Sequence, residues 1–153
     1  MLASEGHEVV RREDLSDVTF LLEIRYPELA RTQRAIASGL GVCPAFYRAP
    51  HGQHTPLLAR VVHGHGLTMI GWDVSAGDWA AHAPDHLADR IVAKARPGSI
   101  IDLHDGLDGR VDVDRTVLVD ALPRILDGLA AKGLRPVRLD ELIGRPGYLT
   151  TGC

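Results

Sequence analysis

The sequence has few aromatic residues, few cysteines and no long apolar run. Phe, Trp and Tyr make up 5% of the 153 residues, and no stretch approaches the roughly 18 consecutive apolar residues of a membrane-spanning helix. Two cysteines, Cys43 and Cys153, are too few for a disulfide framework, lack metal-ligand spacing and identify no compartment. The opening segment MLASEGHEVV lacks the basic start and apolar core of a secretory signal. We therefore expect no membrane partner.

An excess of charge of one sign is also missing. Seventeen Lys and Arg residues face 20 Asp and Glu residues, which gives a net charge of −3, and the charges are scattered. Nucleic acid is therefore a poor candidate for a partner. Hydrophobic residues make up 45% of the chain and charged residues 24%, as in globular proteins. The length, close to the prior of ~150 residues per domain, predicts a single domain over residues 1–153.

Gly and Pro divide the chain into short apolar runs that alternate with helical patterns. This alternation predicts an α/β fold of about five parallel strands joined by right-handed crossovers, and either a barrel or an open sheet would fit. Strands are expected at residues 7–10, 45–48, 67–72, 99–103 and 134–139. Helices are expected to begin at Pro27, Pro56, Pro84 and Thr116, the last with Leu122 on its inner face and Pro123 as a possible kink.

Polar residues cluster at or just after the predicted strand ends. Arg48, Asp73, Asp78 and His104 all take such positions. The carboxyl ends of parallel strands share one rim, and in a parallel barrel chemistry takes place at that rim. These residues therefore mark a candidate active site, with Asp73 the least specific because Asp is common in loops.

Three short segments in this order resemble the polysaccharide deacetylase family, the NodB-homology domain of carbohydrate esterase family 4. They are RAPHG at 48–52, WDVSAGDW at 72–79 and LHDG at 103–106. The ending TVLVDALPRILDGLAAKGLRPVRLDEL is also similar to that family. The resemblance covers about residues 2–143. It implies a distorted (β/α) barrel, here incomplete, that removes acetyl groups from N- or O-acetylated oligo- or polysaccharides.

The resemblance also implies a role for each matched residue. His104 corresponds to the general acid that protonates the leaving group, Asp78 to the carboxylate that tunes it, and Arg48 to the arginine that holds the catalytic base. A backbone N–H near His51 would bind the oxyanion, and Trp79 would wall the acetyl pocket. The residues expected to contact substrate are His51, Gly52, Trp79 and Leu103.

The other half of the family's site has no counterpart in the sequence. The family holds a divalent metal, zinc or similar, with one Asp and two His, and uses a second Asp as base. Here no Asp-Asp pair occurs, and no H-[ST]-x-x-H motif follows Gly6-His7-Glu8-Val9. We therefore expect a domain truncated at its N-terminus and shortened internally, in which no residue is assigned as a metal ligand and metal is not bound. Asp102 also departs from the family, which places an apolar residue two positions before the acid.

Several alternatives remain open from the sequence. The chain is a deacetylase-like hydrolase with weak or no activity, or a non-catalytic carbohydrate-binding remnant of the same fold. In a third interpretation, His51, His54 and His104 form a substitute metal site. The pair His63 and His65 is more simply explained by its position at a helix end, and the pair His82 and His86 by a position on the surface. Arg48 and Asp78 are alternatively an ion pair between loops. The incomplete barrel would also leave the strand at 7–10 with an open edge that favours self-association.

Overall fold

The computed structural model describes residues 27–52, 55–107, 110 and 112–149. These residues divide into two compact units. The first unit contains residues 27–70 and 146–149 within the described part of the chain, and the second is Gly71–Arg145. The strand expected at residues 7–10 lies outside the described residues. A single domain over the whole chain stays a prediction.

The first unit combines two helices with short strands. Its strands form one parallel pair, β2 with β3, in which Phe46 is opposite Thr68, and one antiparallel pair, β1 with β6. Cys43 on β1 is disulfide-bonded. The elements are α1 (Pro27–Leu40), β1 (Cys43–Pro44), β2 (Phe46–Tyr47), a 3₁₀ helix (Pro50–Gly52), α2 (Pro56–Gly64), β3 (Thr68–Met69) and β6 (Tyr148–Leu149).

Local sequence signals explain where α2 begins and which face it buries. The Thr55 hydroxyl accepts a hydrogen bond of 3.1 Å from the Leu58 amide, and Pro56 takes the first helical position. The apolar face of the helix then enters the core of the first unit. This core consists of Leu29, Ala30, Ala49, Leu58, Val61, Val62 and Leu67.

The second unit is built around a parallel strand pair and two packed helices. Strands β4 and β5 pair in parallel, with Val74 opposite Ile101 and Ser75 opposite Asp102. Leu87, Ile91 and Ala95 are buried as the helical spacing predicts. The elements are β4 (Val74–Ser75), a 3₁₀ helix (Asp78–Ala80), α3 (Pro84–Lys94), β5 (Ile101–Asp102), α4 (Thr116–Ala131) and α5 (Leu139–Ile143).

Three details of the predicted fold need correction. The strand expected at 134–139 is wrong, because residues 134–138 form no strand and α5 begins at Leu139; Pro136 has no N–H to give to a strand ladder. Leu122 is 38% exposed, and Ala121 takes the buried position beside it. Strands β1, β4 and β6 were not predicted, because each is two residues long and lies outside the apolar runs in which strands are expected.

The described residues therefore form a mixed α/β structure with two parallel strand pairs and one antiparallel pair. No helix among them has the length and apolar character needed to cross a bilayer. Helix α4 continues through Pro123, the position at which the sequence suggests a possible kink.

Gly128 sets how closely α4 packs on α3. A Cβ atom at this position would lie 2.6 Å from Cγ2 of Val92, closer than two carbon atoms can approach. We predict that Gly128→Ala lowers the free energy of unfolding by about 1–2 kcal/mol, because overpacking outweighs the helix propensity that alanine gains. Urea unfolding measures this.

The control is Gly39→Ala in α1, where an added Cβ meets no atom of the described residues within 4 Å. This variant is expected to be neutral or stabilised by up to about 1 kcal/mol. A Gly128→Ala protein as stable as the Gly39→Ala protein would contradict the packing argument.

We expect His65, which follows α2, to make the stability of the first unit pH-dependent. Among the residues that the structure describes, its Nε2 is buried without a hydrogen-bond partner, and this burial lowers the pKa of its imidazole below the ordinary 6.5. As the pH falls below 6.5, the unfolded chain binds the proton before the folded chain, so stability decreases. We predict that the free energy of unfolding decreases less in His65→Gln than in the parent when the pH is lowered from 7.5 to 5. The exposed His63 supplies the control; if His63→Gln had the same effect, the assignment would fail.

Candidate functional site

The parallel pairing of β4 and β5 brings two loops of the second unit to the same edge. Asp78 and Trp79 lie on the 3₁₀ helix that follows β4, and His104 lies two residues after β5. Because the two strands are parallel, the segments that follow them leave at the same edge. The sequence motifs at 72–79 and 103–106 therefore meet there.

Asp78 binds His104 through both its side chain and its backbone. The imidazole Nδ1 lies 2.9 Å from Asp78 Oδ1, and the backbone N–H of His104 donates to Asp78 Oδ2 at 3.0 Å. The Asp78 side chain has no exposed surface, whereas that of His104 is 29% exposed. This contact turns Nδ1 toward the carboxylate and leaves Nε2 as the other nitrogen of a partly exposed ring. Such an arrangement suits a residue that exchanges a proton with a bound molecule.

Arg115 completes the surroundings of Asp78, and sequence reasoning missed it. Its Nη2 donates to Asp78 Oδ2 at 2.5 Å, and its Nε donates to the backbone carbonyl of His104 at 3.0 Å. A buried carboxylate without a partner costs several kcal/mol, and the ion pair with Arg115 offsets this cost for Asp78. The only sequence signal is the position of Arg115 immediately before a predicted helix, which indicates no particular contact.

Asp102 lies beside the second nitrogen of the imidazole. Its Oδ2 is 3.6 Å from His104 Nε2, and its side chain is 3% exposed. Residues two apart on an extended segment point to the same side, which places this carboxylate and the imidazole together. The sequence identifies Asp102 as a departure from the family, which places an apolar residue at this position. The structure shows a buried residue that pairs with His104.

Trp79 and Leu103 differ in how much of their surface a ligand could reach. The Trp79 ring meets the His104 ring edge-on, with centroids 5.3 Å apart and an angle of 87° between the planes. Trp79 is also 52% exposed, which leaves much of the indole accessible beside the imidazole. Leu103 packs against the core of the second unit. The exposed indole therefore offers a contact surface, whereas Leu103 contributes to the packing of the core.

The remaining predicted site residues belong to the first unit. Arg48 is exposed just after β2, and His51 and Gly52 lie in the 3₁₀ helix that follows. Both His51 (φ 53°) and Gly52 (φ 67°) adopt left-handed backbone conformations, which are uncommon for a residue other than glycine. The roles predicted for these three residues stay predictions. His54 lies outside the described residues.

Asp73 has a structural role rather than a place in the site. Its carboxylate accepts hydrogen bonds from the Ile100 amide at 2.8 Å and from the Ser99 hydroxyl at 2.9 Å, and it pairs with Arg96. The hydrogen bond from the Ile100 amide is the largest cause that holds the pKa of Asp73 below its usual value, and the hydrogen bond from the Ser99 hydroxyl is the next largest. Asp73 therefore fixes the turn that precedes β5, as its loop position suggested.

The donor set of the described residues does not fit the metal that the family resemblance implies. Within residues 27–52, 55–107, 110 and 112–149, no group of three or more His, Cys, Asp or Glu side chains is placed to hold one ion. His104 is already engaged by carboxylates, at Nδ1 by Asp78 and near Nε2 by Asp102. No catalytic step is assigned to a metal here.

Parallel strands with a buried carboxylate–imidazole pair at their ends define an α/β domain with a candidate acid–base site. No family model matches the chain. It is 31% identical over 120 residues to a bifunctional xylanase/xylan deacetylase of Cellvibrio japonicus, which covers 78% of this chain and 17% of that protein. It is 34% identical over 110 residues to a chitooligosaccharide deacetylase of Bradyrhizobium sp. (strain ANU 289), which covers 69% of this chain and 49% of that protein.

The comparison with a solved structure indicates the same family. The family 4 carbohydrate esterase of Streptomyces lividans, in complex with acetate, is 31% identical with a TM-score of 0.60, over 82% of this chain and 59% of that one. The chain belongs to the polysaccharide deacetylase family of the NodB type. It spans less than half the length of either curated relative named above.

We predict that Asp78→Asn lowers the free energy of unfolding by about 3 kcal/mol or more, because the amide leaves the largely buried Arg115 without its counter-charge. Urea unfolding of the whole chain measures this loss. The matched control is Asp89→Asn, since Asp89 pairs with Arg124 at an exposed position. That change is expected to cost less than about 1 kcal/mol. Equal losses in the two variants would contradict the buried ion pair.

Proposed function

We propose that this chain is a hydrolase of the polysaccharide deacetylase type that acts on N- or O-acetylated oligo- or polysaccharides, with weak or no activity as it stands. The observation that carries the proposal is the Asp78–His104 pair, 2.9 Å apart and flanked by an exposed tryptophan. The curated relatives support it, because their names describe xylan and chitooligosaccharide deacetylases.

The described residues account for the leaving-group half of such a reaction. When water adds to the acetyl carbonyl and the bond to the sugar nitrogen or oxygen breaks, the departing atom needs a proton. His104 would supply it from Nε2, while Asp78 holds Nδ1 and stabilises the ring in its orientation. Trp79 would contact the substrate beside the imidazole. Acetate and the free amine or alcohol are the products.

The roles in the nucleophile half of the proposal come from the family resemblance. Arg48 would hold a catalytic base, and a backbone N–H near His51 and Gly52 would bind the oxyanion, as the family resemblance implies. Neither a base nor a set of metal ligands is assigned to the described residues. The proposal includes one domain with an incomplete barrel of about five parallel strands, and self-association through an open edge of that barrel.

A second candidate is a carbohydrate-binding domain without catalysis. Asp102 favours this candidate, because a buried carboxylate 3.6 Å from Nε2 lies beside the nitrogen that should face the leaving group. A charged side chain also replaces the apolar wall that the family places near the acetyl methyl group. Binding through the exposed face of Trp79 would be unaffected by this change.

Acetate release from N-acetylated chitooligosaccharide and acetylated xylan, with binding of both measured by calorimetry, separates the two candidates. The hydrolase candidate predicts slow acetate release by the parent. In His104→Gln, the rate of release should fall by about 10²-fold or to background, because general acid catalysis contributes at least this much. It also predicts faster release in Asp102→Leu, in which Nε2 is no longer paired. His86→Gln, a change at an exposed histidine of α3, should leave release unchanged.

Each result decides between the candidates. Release that persists in His104→Gln would contradict the assigned acid. Binding without release in the parent and in Asp102→Leu would support the carbohydrate-binding domain. Neither binding nor release would contradict both candidates.

A further inference from the structure

We propose that Arg115 is a positioning residue for the acid His104, a role that rests on the proposed function. Arg115 touches neither the exposed face of the imidazole nor the indole of Trp79 in any contact described above. It acts through Asp78 and through the backbone of His104. The three parts of this role are the orientation of the carboxylate, the fixation of the histidine backbone and the balance of charge.

Arg115 determines which oxygen of Asp78 faces the imidazole. Its Nη2 and the His104 backbone N–H both donate to Oδ2, while Oδ1 contacts the ring nitrogen. Two donors on one oxygen fix the rotation of the carboxylate about its last bond. The imidazole therefore meets an acceptor in a single orientation, which favours a proton on Nδ1.

The same guanidinium holds the backbone on which the imidazole is mounted. Nε of Arg115 donates to the His104 carbonyl at 3.0 Å, and Asp78 accepts from the His104 N–H, so both backbone groups of His104 are bound by this ion pair. A third contact, from Nη1 to the Asp78 carbonyl, measures 3.4 Å. The planar fork of arginine makes these contacts together, which a lysine ammonium on its flexible stem cannot do.

Arg115 also balances the charge that would otherwise rest on the imidazole alone. The charged groups described around His104 are the carboxylates of Asp78 and Asp102 and the guanidinium of Arg115, with side-chain exposures of 0%, 3% and 13%. Arg115 compensates Asp78, so that this buried carboxylate does not act on the ring as an isolated charge.

The backbone of Arg115 is fixed at the start of α4. Arg115 is the residue that caps the N-terminus of α4, and its carbonyl accepts hydrogen bonds from Leu118 and Val119. Helix α4 in turn packs closely on α3 at Gly128 and Val92. The guanidinium is thus anchored by the longest helix described in the second unit.

The test is nuclear magnetic resonance of the histidine ring in the full chain, with the His104 signals assigned by their loss in His104→Gln. We expect the parent to carry its proton on Nδ1 in the neutral form and to exchange it slowly with water. In Arg115→Gln, that proton should exchange about tenfold faster or the tautomer should become mixed. Arg115→Lys should give an intermediate exchange rate, because it restores charge but not the fork.

The matched control is Arg124→Gln, which removes another ion-paired arginine from the same helix at a position 52% exposed. This variant should leave the His104 signals unchanged. A folded Arg115→Gln protein with the tautomer and exchange rate of the parent would overturn the proposal. If Arg115→Gln does not fold, the measurement on Arg115→Lys tests the proposal. Exchange of the His104 Nδ1 proton that is faster than in the parent would support the proposal, and exchange at the parent's rate would overturn it. Because no substrate is involved, this result is independent of acetate release.

Discussion

The buried carboxylate of Asp78 is the constraint on which the candidate site depends. A charge without solvent exposure must be compensated, and here Arg115, the His104 ring and the His104 backbone N–H compensate it together. These contacts tie the segment after β4 to the segment after β5 and to the start of α4. The orientation of the imidazole and the local structure of the second unit therefore have the same cause.

The helices and part of the site could be predicted because their signals are local. Pro56 and Thr55 mark the start of α2, and the spacing of Leu87 and Ile91 marks the buried face of α3. The Asp78–His104 contact could be expected because the motifs at 72–79 and 103–106 resemble those that carry the acid and its carboxylate in the family, although β4, the strand before Asp78, was not predicted. In each of these cases, a few neighbouring residues carry the whole signal.

The rest depends on distant contacts that leave no periodic trace. Arg115 is 37 residues from the carboxylate it compensates, and nothing around it distinguishes it from other arginines before helices. Strands β1, β4 and β6 lie outside the apolar runs of the sequence, whereas the apolar residues from Leu134 suggest a strand that Pro136 does not support. Asp102 was recognised as unusual, but only the structure shows its distance from His104.

The most direct test of this account is a double-mutant cycle for the free energy of unfolding, with Asp78→Asn, Arg115→Gln and the combined variant. If a single buried ion pair organises the site, the two changes should be strongly coupled. The combined variant should then be more stable, by about 2 kcal/mol or more, than the sum of the two single losses in free energy of unfolding predicts. Additive losses, with a coupling energy near zero, would contradict the central claim.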